Sequence, residues 1–296
     1  MKTINIKSID NYMLTLDIYE IENPIAYVQI IHGMQEYKDR YTYFANKLNE
    51  AGYSVVVSDI RGHGKSAPTL GYFAENNGYQ LVLEDQKLIT KYIKETYNTE
   101  NIIIFGHSMG SIITRNLLQT ESNNYSKIVL SGYPNYQPAS KLGIILAKII
   151  KKFKGGKYNS KLLSDISVGS FNKKIKNPRT NLDWLSYNTE NVDNYIENPY
   201  CGHQFLTSAF QDLFTLLGNM SKVKKFINVK SIPLLLLYGD SDPCVGGEKG
   251  SNHSINTLNK AGFTNIIKIK YEHMRHEILN EDNKDAVISD IINFLK

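Results

Sequence analysis

The pentapeptide at 106–110 reads Gly-His-Ser-Met-Gly and joins an apolar run at 101–105 to a helix-like stretch at 111–120. A serine at a sharp turn from a strand into a helix projects its hydroxyl into a cleft, where it can attack an electrophile. The backbone N–H of Met109 lies at the start of that helix, where N–H groups stabilise developing negative charge. The pattern therefore predicts that Ser108 is a nucleophile.

A serine hydroxyl becomes a nucleophile when an imidazole accepts its proton and a carboxylate orients that imidazole. Two loops that contain such residues follow strand-like runs, one at 239–243 after the run 234–238 and one at 272–277 after the run 265–271. Parallel strands end at one edge of their sheet, so both loops are predicted to lie beside Ser108. The order serine, acid, histidine is the one expected for a serine presented on such a turn.

Each of these loops offers two candidates. Asp240 follows its strand directly, a position that also suits a turn residue bonding its own backbone. Asp242 lies further out and is better placed to reach a histidine. In the second loop, the residues alone leave His273 and His276 open as the base.

A loop that could hold an oxyanion follows the third strand-like run, where residues 30–35 read Ile-Ile-His-Gly-Met-Gln. We predict that the backbone N–H of Met34 acts beside the N–H of Met109. Gly33 allows the backbone to turn toward the substrate and is a substrate-binding candidate. His32 is expected to support this loop.

The composition is that of a globular protein, with 42% hydrophobic and 21% charged residues in a chain of 296. The net charge of +5 is spread along the chain, and no nucleic-acid-binding signature is present, so nucleic-acid partners are not expected.

The N-terminus has no signal-peptide core and no segment has eighteen consecutive apolar residues, so we expect a cytoplasmic protein. The distant Cys201 and Cys244 are expected to be free thiols.

No cofactor and no metal site are predicted, because the histidines and cysteines lack metal-ligand spacing. The stretch 59–66 reads Asp-Ile-Arg-Gly-His-Gly-Lys-Ser and lacks the spacing of a phosphate-binding loop. We predict that it is a structured loop bordering the site. His107, at the variable position of the pentapeptide, is expected to have a packing role.

The chain divides into three parts by pattern. Residues 1–134 alternate strand-like and helix-like runs, residues 135–229 lack clear strands, and residues 230–296 restore the alternation. Continuous apolar strands between helices favour a mostly parallel sheet with helices on both faces, with 13–21 as a strand at its edge. The middle part is too long for a loop and is predicted to be an inserted, mainly helical cap. The other predicted strands are 25–31, 53–58, 101–105, 127–133, 232–238 and 265–271, and the predicted helices are 40–51, 78–97, 111–120, 247–261 and 282–295.

The stretch 141–153 within this middle part combines an apolar stripe with basic residues. From Lys141 to Lys161 there are seven lysines and no acidic residue. The stripe, on one helical face, consists of Leu142, Ile145, Leu146, Ile149 and Phe153. This pattern suits a lid that touches an anionic membrane surface. The alternative is an ordinary cap helix that packs the stripe on the core and leaves the lysines in solvent.

Together these segments resemble the monoacylglycerol lipase and lysophospholipase branch of the α/β-hydrolases. The resemblance spans nearly the whole chain and rests on the motifs at 31–34, 59–66, 106–110, 239–242 and 275–277, with cap-like segments at 183–186 and 198–202. It implies an α/β-hydrolase fold with an inserted cap. It also assigns the acid to Asp242 and the base to His276.

The implied activity is hydrolysis of carboxylic esters through an acyl-enzyme on Ser108, without a metal or organic cofactor. The expected substrate is a single-chain lipid ester such as a monoacylglycerol or a lysophospholipid, and no obligate protein partner is expected. Two alternatives are a peptidase of the proline-iminopeptidase type and a non-catalytic ligand-binding protein on the same fold.

Overall fold

The computed structural model of the chain describes residues 1–138, 140–227 and 229–296. One sheet contains the strands β1 (Lys2–Lys7), β2 (Met13–Tyr19), β3 (Tyr27–Ile31), β4 (Ser54–Ser58), β5 (Ile102–His107), β6 (Lys127–Ser131), β7 (Leu234–Gly239) and β8 (Ile266–Tyr271). The helices are α1 (Thr42–Glu50), α2 (Gly78–Tyr97), α3 (Met109–Glu121), α4 (Ser140–Lys154), α5 (Lys161–Ser167), α6 (Thr189–Glu197), α7 (Thr207–Asn219), α8 (Gly247–Lys260) and α9 (Lys284–Leu295).

The strands follow the order β1-β2-β4-β3-β5-β6-β7-β8, and β3 to β8 are parallel. This confirms the predicted mostly parallel sheet. The prediction that residues 13–21 form a strand at the sheet edge was wrong, because β1 pairs antiparallel with β2 and itself forms that edge. Only Ile4 and Ile6 of β1 are apolar, so this exposed strand carries too weak a pattern to be recognised.

Helices cover both faces of the sheet, so the strands from β3 to β7 are buried except at Lys127, the first residue of β6. On one face, α1 and α9 contribute Phe44, Leu48 and Ile291 to a core cluster. On the other face, α2 and α3 pack through Ile89 and Ile113. The catalytic candidates emerge from the carboxyl ends of these strands.

The stretch between β6 and β7 contains α4 to α7 and no strand among its described residues; Ala139 and Asn228 lie outside the described part of the chain. Helix α7 is joined to α3 by the Asn116 amide, which donates to the Leu216 carbonyl at 3.0 Å. Helix α4 packs on α7, and Gly143 lies close enough to the Phe214 ring that a side chain there would clash. Helix α7 therefore joins α4 to α3, which packs on the sheet.

The apolar stripe of α4 faces outward for most of its length. Leu142 and Phe153 are 65% and 75% exposed, and Ile145 and Ile149 are at least half exposed. The residues that α4 buries are Ser140, Gly143 and Ala147. The alternative, an ordinary helix that packs its stripe on the core, is therefore wrong for four of the five stripe residues. The small residues Gly143 and Ala147 make the contact with α7 instead. Within the described residues, no helix combines the length and apolar character needed to cross a membrane.

Candidate active site

Ser108 occupies the turn between β5 and α3 in a strained conformation. Its φ of 53° and ψ of −118° are unusual for a residue with a side chain, and its N–H donates to the Ser131 carbonyl at 2.9 Å. Gly110 lets this turn approach β3, since a side chain there would collide with the Ile31 carbonyl oxygen. The turn therefore has the geometry of the predicted nucleophile elbow.

The structure brings Ser108, His276 and Asp242 into one hydrogen-bonded chain. The Ser108 hydroxyl lies 2.8 Å from His276 Nε2, and His276 Nδ1 lies 2.9 Å from Asp242 Oδ2. With a neutral imidazole, the serine donates to Nε2 and Nδ1–H donates to the carboxylate. His276 and Asp242 are both buried. This arrangement can remove the serine proton and stabilise the resulting imidazolium.

The two alternative residues lie away from this chain. Asp240 is exposed and accepts a hydrogen bond from the Ser241 hydroxyl. His273 is exposed and stacks on Tyr187 at 4.1 Å between ring centroids. Neither contacts Ser108.

The imidazole of His276 is held between aromatic rings and its acid partner. Trp184 and His107 lie 5.0 and 4.9 Å from it between ring centroids. Burial disfavours the charged imidazolium, but the charge of Asp242 and its hydrogen bond outweigh burial and raise the pKa of His276 above its ordinary value. The backbone N–H of Cys244 donates to Asp242 Oδ1 at 2.8 Å, so both carboxylate oxygens are fixed.

The loop after β3 lies beside the serine. A side chain at Gly33 would meet the Ser108 Cβ at 3.2 Å, so glycine lets the loop pack against the nucleophile. Met34 and Met109 line the same cavity as Ser108. The described residues offer no hydrogen-bond partner to either backbone N–H, so both remain able to bind an oxyanion.

Side chains from several elements hold this loop in place. The His32 ring bonds the Gly33 carbonyl through Nδ1 at 2.8 Å and accepts the Ile60 N–H through Nε2 at 2.9 Å. Gln35 has a φ of 61°, and its carbonyl accepts a 2.7 Å bond from the Tyr195 hydroxyl of α6. The expected support by His32 is therefore joined by support from the helical stretch between β6 and β7.

A network around Arg40 was not predicted from the sequence. Its guanidinium donates to both oxygens of Glu277 at 2.6 and 2.7 Å, and to Glu36 at 2.8 Å. Glu36 also accepts the Gly33 N–H, and Asn191 of α6 bonds both Arg40 and Glu277. The network thus links the loop after β3, the residue beside His276 and α6. Its sequence signal is the placement of charged residues directly next to both candidate loops.

Ion pairs hold the stretch 59–66 in place. Arg61 is almost fully buried and pairs with Asp85 at 2.6 Å and with Asp10 at 2.8 Å. These pairs occupy the guanidinium, so this loop has a structural role consistent with the prediction of a structured loop. Burial raises the pKa of Asp59 to about 7.

The thiols of Cys201 and Cys244 are free and buried. Burial raises the pKa of Cys244 well above its ordinary value, so it is a neutral thiol. The ligand atoms of Cys244, Asp242 and His276 lie within 4.8 Å of one another, yet the Asp242 carboxylate already bonds His276 and accepts the Cys244 backbone N–H. A metal ion held by these three residues would have to displace those hydrogen bonds.

Ser108 opens into a cavity of about 280 Å³, whose wall is largely apolar. The apolar lining residues include Ile112, Ile166, Val168, Phe171, Leu182, Trp184, Leu185, Leu213, Phe214 and Leu217. Most of them come from the stretch between β6 and β7. The shape of the cavity therefore depends on residues 135–229, the part of the sequence that lacks clear strand patterns.

Comparisons with known proteins agree with this architecture. Residues 22–283 match the Hydrolase_4 family, described as serine aminopeptidase S33. A monoacylglycerol lipase of Mycolicibacterium smegmatis is 23% identical over 92% of this chain and 89% of its own length. A phospholipase of Bacillus subtilis is 22% identical over 91% of this chain and 94% of its own.

Solved structures extend the similarity to the whole fold. A carboxyl esterase from Bacillus coagulans, crystallised with glycerol, superposes with a TM-score of 0.91 at 26% identity, over 99% of this chain and 97% of its own. The predicted fold and the predicted resemblance are both confirmed. With its serine turn, its sheet and a family match over most of its length, the chain belongs to the Hydrolase_4 family of α/β-hydrolases.

Proposed function

We propose that this protein hydrolyses carboxylic esters of single-chain lipids through an acyl-enzyme on Ser108. The observation that carries the proposal is the unbroken chain of hydrogen bonds from Ser108 through His276 to Asp242 at the wall of an apolar cavity. Relatives named monoacylglycerol lipase and phospholipase, and a structural neighbour named carboxyl esterase, support lipid ester hydrolysis.

The reaction follows from the placement of these groups. His276 takes the proton of Ser108 as its oxygen attacks the ester carbonyl, and Asp242 stabilises the imidazolium. The backbone N–H groups of Met34 and Met109 hold the oxyanion, a role in which losing one donor costs about 10²–10³ in rate. His276 then protonates the leaving alcohol, and water, activated by the same imidazole, releases the fatty acid.

The family description names an aminopeptidase, so a peptidase is the second candidate. Binding the free amine of a peptide requires a carboxylate that is not already paired. The two acidic residues that line the cavity, Glu36 and Glu277, both bond Arg40. Lys174, on the same wall, repels an ammonium group. These charges favour an uncharged or anionic substrate over a free amino terminus.

We also propose that residues 1–134 and 230–296 form the hydrolase core and that residues 135–229 form a cap with a membrane-facing side. The exposed stripe of α4 supports this, and it continues on α5 through Leu162 and Ile166, which are 52% and 40% exposed. Ile166 also lines the cavity, so the apolar surface leads to its mouth. Lysines flank the stripe and suit an anionic lipid surface. A cytoplasmic location is proposed because both cysteines are free thiols, as in proteins of a reducing compartment.

Hydrolysis of p-nitrophenyl esters from acetyl to palmitoyl tests the main proposal. We expect wild-type activity to peak at medium or long chains and to vanish in Ser108→Ala. Labelling of Ser108 by a fluorophosphonate probe provides an independent readout. Activity restricted to the acetyl ester would indicate a small-molecule esterase. Absence of both labelling and hydrolysis in a folded protein would contradict an esterase and leave the ligand-binding alternative. Hydrolysis of aminoacyl anilides in preference to esters would favour the peptidase.

A further inference from the structure

Lys174 differs from the other charged residues on the cavity wall in having no neutralising partner. Glu36 and Glu277 are paired with Arg40. Lys174 is the one lysine or arginine among the described lining residues. Lys174 is an exposed residue at the rim of the cavity, and its Nζ donates a long 3.4 Å hydrogen bond to the Pro243 carbonyl. None of the ion pairs among the described residues includes it.

A second polar group on this part of the wall also lacks a partner. The Asn135 side-chain Oδ1 is buried and makes no hydrogen bond with any described residue. The Asn135 N–H donates to the Cys244 carbonyl at 3.3 Å, whereas Lys174 reaches the adjacent Pro243. A buried polar atom without a partner costs free energy unless a bound molecule supplies one. Lys174 and Asn135, which bond the adjacent residues 243 and 244, thus form a polar end of a largely apolar cavity.

This polar end lies close to the reacting groups. Residues 243–244 directly follow Asp242, and the Cys244 N–H bonds its carboxylate. Asp242 contacts His276, which contacts Ser108. The polar end is therefore within a few contacts of the ester bond, where the head group of a single-chain lipid ester has to lie if its acyl chain occupies the apolar wall.

We propose that Lys174 and Asn135 bind the head group of the substrate, and that Lys174 selects a head group carrying a phosphate. The favoured substrate is then an acyl glycerol phosphate rather than an uncharged monoacylglycerol. The ammonium group binds phosphate as a compact point charge, and the Asn135 Oδ1, an acceptor, takes a hydrogen bond from a glycerol hydroxyl. This inference rests on the proposed ester hydrolysis and adds the class of head group to it.

The test compares two substrates with the same acyl chain, 1-decanoylglycerol and 1-decanoylglycerol 3-phosphate, at concentrations where both are monomeric. Released decanoic acid is measured for wild type, Lys174→Gln and the matched control Lys173→Gln. Lys173 is an adjacent exposed lysine outside the cavity lining. Using monomers separates head-group binding from attraction of the basic cap to charged aggregates.

We expect wild type to have the lower KM for the phosphate substrate. Lys174→Gln should raise that KM roughly five- to tenfold, the loss expected for one charge-assisted contact at an accessible site, and change kcat little. The uncharged substrate should be affected less than twofold, and Lys173→Gln should affect neither. Lys174→Arg should retain most of the preference, and added salt should weaken it.

Equal effects of Lys174→Gln on both substrates would overturn the inference, as would an equal loss in Lys173→Gln. A wild-type preference for the uncharged ester would also overturn it, while leaving ester hydrolysis intact. Failure of the proposed function looks different, because wild type would then hydrolyse neither substrate and would not react with the fluorophosphonate probe.

Discussion

We call Ser108, His276, Asp242 and the network around Arg40 the floor of the site. This floor and the outer surface of the proposed cap meet opposite requirements. At the floor, the Arg40 side chain is 12% exposed, its Glu36 and Glu277 partners are 4% exposed, and each of these charges is paired. On α4, Leu142 and Phe153 are exposed beside lysines most of which form no ion pair with the described residues. Paired buried charges fix atoms in one geometry, whereas an apolar surface with free cations can adapt to a lipid aggregate.

The largest effect is expected from substitutions in the hydrogen-bonded chain that joins Ser108, His276 and Asp242. Replacing His276 by Gln, or Asp242 by Asn, removes the base or its orienting charge and should lower kcat by about 10⁴-fold or more. His273→Asn and Asp240→Asn are matched controls, because these residues lie on the same loops but do not contact Ser108. They should retain activity within about twofold on p-nitrophenyl decanoate. A strong loss in either control would mean that the wrong member of the pair has been assigned.

The next largest effect is expected in the ion-pair network around Arg40. Arg40→Met leaves Glu36 and Glu277 buried without a counter-charge, which should destabilise the protein by about 3–5 kcal/mol in urea unfolding. Arg179→Met breaks an exposed pair with Asp193, in which both side chains are 47% exposed, and should cost about 0–1 kcal/mol. Similar losses in the two variants would show that the Arg40 network does not hold the floor.

The ionisation of His276 gives a third test of the floor. Its pKa is raised by Asp242 against the effect of burial, and the base must be neutral. Log kcat/KM should therefore rise with pH and level off above the ordinary histidine value of about 6.5. In Asp242→Asn, burial is no longer opposed, so the residual activity should level off at lower pH. An unchanged midpoint would mean that another group controls the profile.

The same shift has a consequence for stability. Because folding raises the pKa of His276, its protonated form stabilises the folded state below the unfolded pKa, and this contribution is lost as pH rises through the folded pKa. The pH at which the enzyme is most active is therefore not the pH at which this group stabilises it most. In Asp242→Asn, unopposed burial places the folded pKa of His276 below the unfolded one, so this contribution to the free energy of unfolding should reverse and be lost as pH falls.

The floor could be predicted from the sequence because its signals are local. The strands before Ser108 and Asp242 are apolar runs, and the strand before His276 is marked by its branched apolar residues. Because the loops follow these strands directly, Ser108, Asp242 and His276 were placed by strand order alone or with the family motif. The Arg40 network could not be predicted in this way. It joins residues that are 237 positions apart in the case of Arg40 and Glu277, and nothing in the pattern of either segment indicates its partner.

The sequence predicts a cap at residues 135–229 but does not indicate which face of α4 is exposed. Its helical stripe was visible in the sequence, yet periodicity alone does not reveal whether an apolar face packs inward or outward. The decision depends on Gly143 and Ala147, whose small size lets α4 lie close to α7 on its other face. The polar end at Lys174 was missed for a related reason, since one lysine among many carries no signal until the cavity is known.

The smallest effect is expected on the cap surface, where no single residue dominates. Ile149→Asn combined with Phe153→Asn should reduce sedimentation with phosphatidylglycerol vesicles by about three- to tenfold, since each side chain contributes only part of the buried apolar area. Hydrolysis of a monomeric short-chain ester should be unchanged, because both residues lie outside the cavity lining. Ile25→Asn is a matched control, as Ile25 is 58% exposed and lies near Gly52, before β3 rather than on the cap. If this control loses as much vesicle binding as the double variant, the contact is not specific to the cap, and the contrast between floor and cap then concerns packing alone.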